Sequence, residues 1–243
     1  LATPIVEVAC IRWINPPVTP LMLLRKAEAR LTGHGATEIQ YQWRDLRQMP
    51  IVLRDLLIEL SHQEMRANAK VSDDNLEYPR RNLELLGEHG FLALTVPTEF
   101  GGLGEDHVGF AMTCETIARY ACASTAMCYV MHMAAVNTIM LRPTDELIEK
   151  YIKPLNDGKI GTLSYSDPET GSHFWYPISS GAERSNGGYK VNKKASWTTS
   201  GGFADFYVVQ TTSPDFTGYD DLSVFVIDGE DVKSQPSTWD ALG

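Results

Sequence analysis

Hydrophobic positions change their spacing once along this chain, near residue 159. Before that point they recur every three or four residues. Leu53, Leu56, Leu57 and Leu60 make one helical stripe, and Leu83, Leu85 and Leu86, after Pro79, make a second that meets Gly87 and Gly90. Phe110, Cys114, Ile117, Ala118 and Ala121 mark the face of another helix, and Met127, Val130, Met131, Ala134 and Thr138 mark the next. Thr144 followed by Asp145 and Glu146 is a helix start, a hydroxyl cap with acids near the positive end of the dipole, and Asn156-Asp157-Gly158 is its stop. After Lys159 the runs IGTLSYS, GYKVNKKASWTTS, ADFYVVQTT and DLSVFVID are β-branched and aromatic, separated by Gly, Asn, Asp and Ser clusters.

The pattern predicts an α+β protein: a helical domain over 51–158, then a β-barrel or sandwich domain over 159–243. Residues 1–50, with prolines at 4, 16, 17 and 20 and a short helical candidate near 21–31, carry no assignable role. Residues 120–141 contain no Asp, Glu, Lys or Arg and are long enough to cross a bilayer. Ser124, Thr125, His132, Asn137 and Thr138 interrupt that run, so a helix buried inside the protein is the expectation and no membrane span.

Charge narrows the function. Among 243 residues, 31 acidic against 21 basic side chains leave a formal charge of -10, which speaks against a protein that holds nucleic acid by its phosphates. The four cysteines have no C-x-x-C spacing and read as free thiols in a reducing, cytoplasmic compartment. Six scattered histidines without H-E-x-x-H predict no metal site, and no G-x-S-x-G is present. Gly101, Gly102 and Gly104 are spaced G-G-x-G, which reads as a connection between helices and not as a dinucleotide loop. Glu99 and Asp106 read as a solvated and a capping acid. His132 stands alone on an apolar helix. It is either a satisfied core histidine or, beside Met131 and Met133, part of an acyl pocket.

Two stretches remain, LSYSDPETGSHFW from residue 163 and KASWTTSGGFADFYVV from residue 194. Both end strands in hydroxyls and glycine, which suits a site where backbone and hydroxyl donors meet a flat polar ligand. In order, they resemble the flavin-binding strands of the acyl-CoA dehydrogenase family. Ser166-Asp167-Pro168-Glu169-Thr170-Gly171-Ser172-His173 stands where that family commonly has Thr-Glu-Pro, two variable residues and Gly-Ser-Asp. Trp197-Thr198-Thr199-Ser200-Gly201, then Ala204-Asp205, resembles its Trp-Ile-Thr-Asn-Gly and Ala-Asp. Val96-Pro97-Thr98-Glu99-Phe100-Gly101-Gly102 is similar to its Val-Pro-x-Glu-Tyr-Gly-Gly, and Glu115 to Arg119 with Ser124 and Thr125 to its central helices. His173 departs from the usual Asp, Thr198 from Ile, and Asn192-Lys193 from a common Asn-Gly, where a turn of positive φ would suit Lys193 poorly.

The resemblance implies a helical N-terminal domain, a middle β-domain and a C-terminal four-helix domain, the last absent from this chain, which would stop inside the barrel at 239–243. It implies FAD, with Leu163, Tyr165 and Ser166 at the pyrimidine edge, and Gly171 and Ser172 at the pyrophosphate or the pantetheine arm. Trp197 would lie against the ring, beside Thr198, with Thr199 at N5. Ser172 and His132 would be the substrate contacts. The implied reaction is α,β-dehydrogenation of an acyl-CoA thioester to the trans-2-enoyl-CoA. The family's glutamate base lies in the C-terminal domain, so no catalytic residue is assigned here. Electron transfer flavoprotein would be the acceptor and a homodimer or homotetramer the assembly. A flavin-dependent monooxygenase or a non-catalytic partner subunit on the same scaffold are the alternatives.

Overall fold

The computed structural model describes residues 51–170, 180–218 and 221–234, which all lie in one compact unit, Met49–Gly243. The segment 1–50 is outside the described residues. Helix α1 (Ile51–Leu60) runs through a π-turn, Ser61–Met65, into α2 (Arg66–Asn75), and α3 (Arg80–Glu88) follows. Helix α4 (His107–Tyr120) starts where the Asp106 carboxylate accepts from the N–H groups of Val108 and Gly109, at 2.9 and 3.1 Å. Asp106 is therefore the cap that its position suggested. Helix α5 (Ala123–Met140) is the longest, and α6 (Asp145–Leu147) begins on the Thr144 hydroxyl, which accepts from Leu147 N–H at 3.2 Å.

The glycine-rich stretch between α3 and α4 is a structural turn. Gly101 has φ +89°, and a Cβ on Gly102 would lie 2.1 Å from the Val96 carbonyl oxygen. No other residue type lets the chain close there, which is why the pattern is glycine without being a ligand loop. The side chain of Glu99 is exposed.

Five strands follow: β1 (Gly161–Ser164), β2 (Gly181–Ser185), β3 (Gly188–Asn192), β4 (Phe206–Thr212) and β5 (Leu222–Asp228). They form one mixed sheet. Strand β5 pairs antiparallel with the whole of β4, so it fills one edge of that strand. Along the other edge β1 pairs parallel with Phe206 to Val209, and β2 meets the same edge at Thr212. The chain thus pairs with β4 through Ser164 and again at Gly181. Strands β2 and β3 form a hairpin around Asn186-Gly187, both with positive φ (+41° and +84°), the geometry of a two-residue type I′ turn. Lys193 needs no positive φ. The Tyr189 ring of β3 lies 5.4 Å from that of Phe225 in β5, so the sheet bends back toward itself.

Alternation along the strands separates two faces. Leu163, Phe206 and Val208 turn toward the helices and join Leu83, Phe91, Tyr129 and Met133 in the main core. Helix α5 packs along β1. Its buried stripe is Thr125, Tyr129, His132, Val136 and Ile139 with their neighbours, while Met127 is exposed. The stripe expected through Met127, Val130, Met131, Ala134 and Thr138 is not the buried one. Apolar residues occur all round this helix, so periodicity could not select a face, and contact with β1 did. Likewise, α4 buries Met112, Thr113, Thr116 and Ile117, and Ala118 faces out. No helix among the described residues is long and apolar enough to cross a membrane.

Candidate flavin site at the end of strand β1

The side chains that leave β1 on the face away from the helices are Thr162, Ser164 and Ser166, all hydroxyls. Each meets one residue of the segment before β4. Thr162 Oγ1 donates to the Thr199 carbonyl, the Ser164 and Thr198 hydroxyls are 3.0 Å apart, and Ser166 Oγ donates to the Trp197 carbonyl at 2.8 Å. Ser166 Oγ also accepts from Trp197 N–H at 3.1 Å. Two irregular segments are thereby tied together by side chains, since no ladder joins them. The structure brings Leu163, Tyr165, Ser166, Trp197, Thr198 and Thr199 into one neighbourhood. Gly171 and Ser172 lie outside the described residues, so their roles do too.

The 197–205 segment is fixed from behind. Ser200, at φ +62°, is buried and receives the Tyr78 hydroxyl at 2.9 Å, while Tyr78 stacks on Phe203 with ring centroids 4.6 Å apart and 8° between planes. Burial pushes the Tyr78 phenol well above its ordinary range, so it stays a donor. Arg80 donates to the Phe203 carbonyl at 2.8 Å and to Asp205 Oδ2 at 3.1 Å, and that same Oδ2 accepts Ile160 N–H at 2.8 Å. Asp205 therefore links α3 to the start of β1. The Gly202 N–H reaches the Tyr207 hydroxyl at 2.7 Å.

Just beyond β1, Asp167 is buried and accepts from Glu169 N–H at 3.1 Å and from the Ser180 hydroxyl at 3.2 Å. Ser180 Oγ in turn accepts Lys194 N–H at 3.3 Å. Lys193 Nζ donates to the Tyr165 carbonyl at 3.3 Å, and burial pushes its ammonium down to about 8. Burial raises the Tyr165 phenol, which faces the helices.

Two aspects of the surface at this end of β1 stand out. Trp197 is 58% exposed although it is the largest side chain of its segment. The Thr199 hydroxyl makes no hydrogen bond among the described residues. His132 departs from the expected substrate contact. It is fully buried; its Nδ1 accepts Gly161 N–H at 3.0 Å and its Nε2 lies 2.8 Å from the Leu92 carbonyl, to which only an N–H can donate. The ring is the neutral Nε2–H tautomer, and burial lowers it to about 4. Both nitrogens are spent inside the chain, so the satisfied core histidine is the reading the geometry supports and the acyl-pocket contact is withdrawn.

Sequence reasoning missed Thr162 and Ser164, although hydroxyls at alternate positions opposite a second hydroxyl run were a readable sign. It gave no function to Tyr78 or Arg80, whose contacts span more than a hundred residues, and read Lys193 only as a poor turn residue. No group of His, Cys, Asp or Glu among the described residues could hold a metal ion. A groove of about 410 Å³ between Arg184, Tyr189, Asp215 and Phe225 shares no residue with this site. It is open and edged by an exposed Arg184–Asp215 ion pair.

Residues 51–159 match the family described as acyl-CoA dehydrogenase, N-terminal domain. The chain is 27% identical to an acyl-CoA dehydrogenase of Bacillus subtilis over 74% of its own length and 48% of that protein's. It is 28% identical to the mitochondrial isovaleryl-CoA dehydrogenase of Solanum tuberosum, over 72% of this chain and 43% of the relative. Among solved structures, a probable acyl CoA dehydrogenase from Mycobacterium abscessus is similar with a TM-score of 0.67 at 27% identity, covering 75% of this chain and 49% of that one. The chain spans about half the length of the curated relatives it matches. The helices before β1 thus match the acyl-CoA dehydrogenase N-terminal domain family, and the likeness to solved acyl-CoA dehydrogenase structures runs on into the sheet that carries the hydroxyl row.

Proposed function

We propose that this chain is the helical and sheet portion of an FAD-dependent oxidoreductase that dehydrogenates an acyl-CoA thioester to its trans-2-enoyl product. The observation that carries the reading is the exposed Trp197 beside the hydroxyl row that joins it to the end of β1. A large, partly exposed aromatic side chain next to hydroxyls fits a ligand that is flat, apolar on its faces and polar at its edges. An isoalloxazine has that character, and the donors present suit it.

FAD, when bound, accepts a hydride and carries negative charge on its pyrimidine ring. The chain's own residues orient and shield. The Ser166 hydroxyl, bonded to both the N–H and the carbonyl of Trp197, ties the backbone of that residue to the strand end. Thr199 keeps a hydroxyl that makes no hydrogen bond among the described residues. Tyr78, Arg80 and Asp205 make the segment rigid before the ligand arrives, which lowers the cost of ordering it on binding. The base that takes the Cα proton is expected from a part of the protein beyond this chain, and electron transfer flavoprotein and a second copy of the subunit are the expected partners.

The test is the visible absorption spectrum of the purified full-length protein, recorded anaerobically before and after addition of acyl-CoAs of graded length. Bleaching of a bound flavin by one of them supports the dehydrogenase half-reaction and reports the chain-length class. A flavin that stays oxidised, with product formed only in oxygen, favours a monooxygenase. A protein that takes up no flavin sinks the site and leaves a non-catalytic subunit.

A further inference from the structure

Lys193 is the one group near the strand end whose chemistry the reading above leaves unused. Its ammonium carries three donors, and one is given to the Tyr165 carbonyl. The other two have no partner among the described residues. The charge is also only partly met. Asp167 is close enough to favour the charged form, yet its oxygens receive Glu169 N–H and the Ser180 hydroxyl, and it makes no ion pair with Lys193. A half-buried cation with one neutral acceptor is costly unless something anionic completes its shell. Nothing in the fold requires a lysine here, because the hairpin turn is made by Asn186 and Gly187 and position 193 has ordinary backbone geometry.

We propose that Lys193 is an anion-binding residue of the flavin site, presenting its two unused ammonium donors to an oxyanion of the dinucleotide. This rests on the proposal that the site holds FAD. The oxygen is either a carbonyl at the pyrimidine edge of the ring, which becomes anionic when the flavin is reduced, or one of the pyrophosphate. A charge-assisted hydrogen bond in a partly dry site is worth a ten- to a hundredfold change in affinity, on the order of other such bonds. Burial supports the assignment from another side: an ammonium held down to about 8 gains charge when an anion arrives, so binding and protonation reinforce each other.

The experiment compares the full-length wild type with Lys193→Met and Lys193→Arg by fluorescence titration with FAD and with riboflavin, and by the midpoint potential of the bound flavin. Lys193→Met is expected to weaken FAD binding about ten- to a hundredfold, with Lys193→Arg retaining most of it. An equal loss for riboflavin, with a lower midpoint potential, puts the contact at the pyrimidine edge. Riboflavin affinity unchanged puts it at the pyrophosphate. FAD bound equally tightly by Lys193→Met, at an unchanged potential, overturns the proposal while leaving the flavin site intact; a wild type that binds no flavin removes both. Should Lys193→Met not fold, the wild type decides alone. Its FAD affinity is expected to fall as pH rises from 7 to 9, with Asp167 and the Tyr165 phenol the other titratable groups beside Lys193. An affinity constant over that range overturns it.

Discussion

Strand β1 is held by polar groups at both ends, and the two ends are spent differently. At its start, Gly161 N–H goes to His132 and Ile160 N–H to Asp205, and the second nitrogen of the imidazole goes to Leu92. At its exit, Trp197 is 58% exposed, and among the described residues the Thr199 hydroxyl and two of the Lys193 donors meet no hydrogen-bond partner. The same short strand therefore has a saturated end that behaves as scaffold and a less saturated end where the proposed site lies. Burial explains the difference: inside the core an unpaired group costs about 1–3 kcal/mol, and the N–H groups at the start of β1 are paired, whereas at the rim a ligand or water can complete a free group.

The comparison breaks most easily at the saturated end. His132→Leu leaves Gly161 N–H and the Leu92 carbonyl buried without partners, and is expected to cost about 3 kcal/mol in urea unfolding. A loss under about 1 kcal/mol would mean that water replaces the ring there, and that this end is not dry. Proton linkage reaches the same contact. The folded imidazole is lowered to about 4 from an ordinary 6.5, so the folded state binds its proton less readily than the unfolded chain. The stabilisation is complete above pH 6.5 and is lost as pH falls toward 4, about 3 kcal/mol over the window, and His132→Leu should flatten that part of the profile.

Gly161→Ala is the next largest change. Its Cβ would lie 2.3 Å from the Phe206 ring, and about 1–3 kcal/mol of destabilisation is expected by thermal unfolding. Tyr78→Phe removes one buried hydrogen bond to Ser200 and should cost about 1 kcal/mol, with faster amide exchange confined to the 198–204 segment. The smallest effect on folding belongs to the exit end. Thr199→Val should move stability by less than about 0.5 kcal/mol, because its hydroxyl holds nothing in the protein, while flavin affinity or potential changes. Large destabilisation by Thr199→Val would erase the distinction between the two ends.

Much of this could be read from the chain. Hydrophobic spacing separated helices from strands near residue 159, and the Thr144 and Asp106 caps stand where hydroxyl and acid precede a helix. The two strand-end motifs were legible because glycine and hydroxyl clusters interrupt otherwise β-rich runs. The role of His132 was not, since an imidazole on an apolar helix looks the same whether it meets a substrate or the backbone of a strand 29 residues on. Lys193 was misjudged for a related reason: its position was weighed by turn chemistry, but the turn lies seven residues earlier, at Asn186.

What the sequence alone determined is local in origin: which segments are helical or extended, where they are capped, and which glycines the turns demand. These depend on side-chain geometry within a few residues. What only the tertiary structure decided is which face of α5 is buried, which donors are consumed, and that hydroxyls of β1 meet residues 197–199. Each of those requires the position of a distant partner. Whether a polar group is scaffold or site depends on whether that partner is already supplied by the fold.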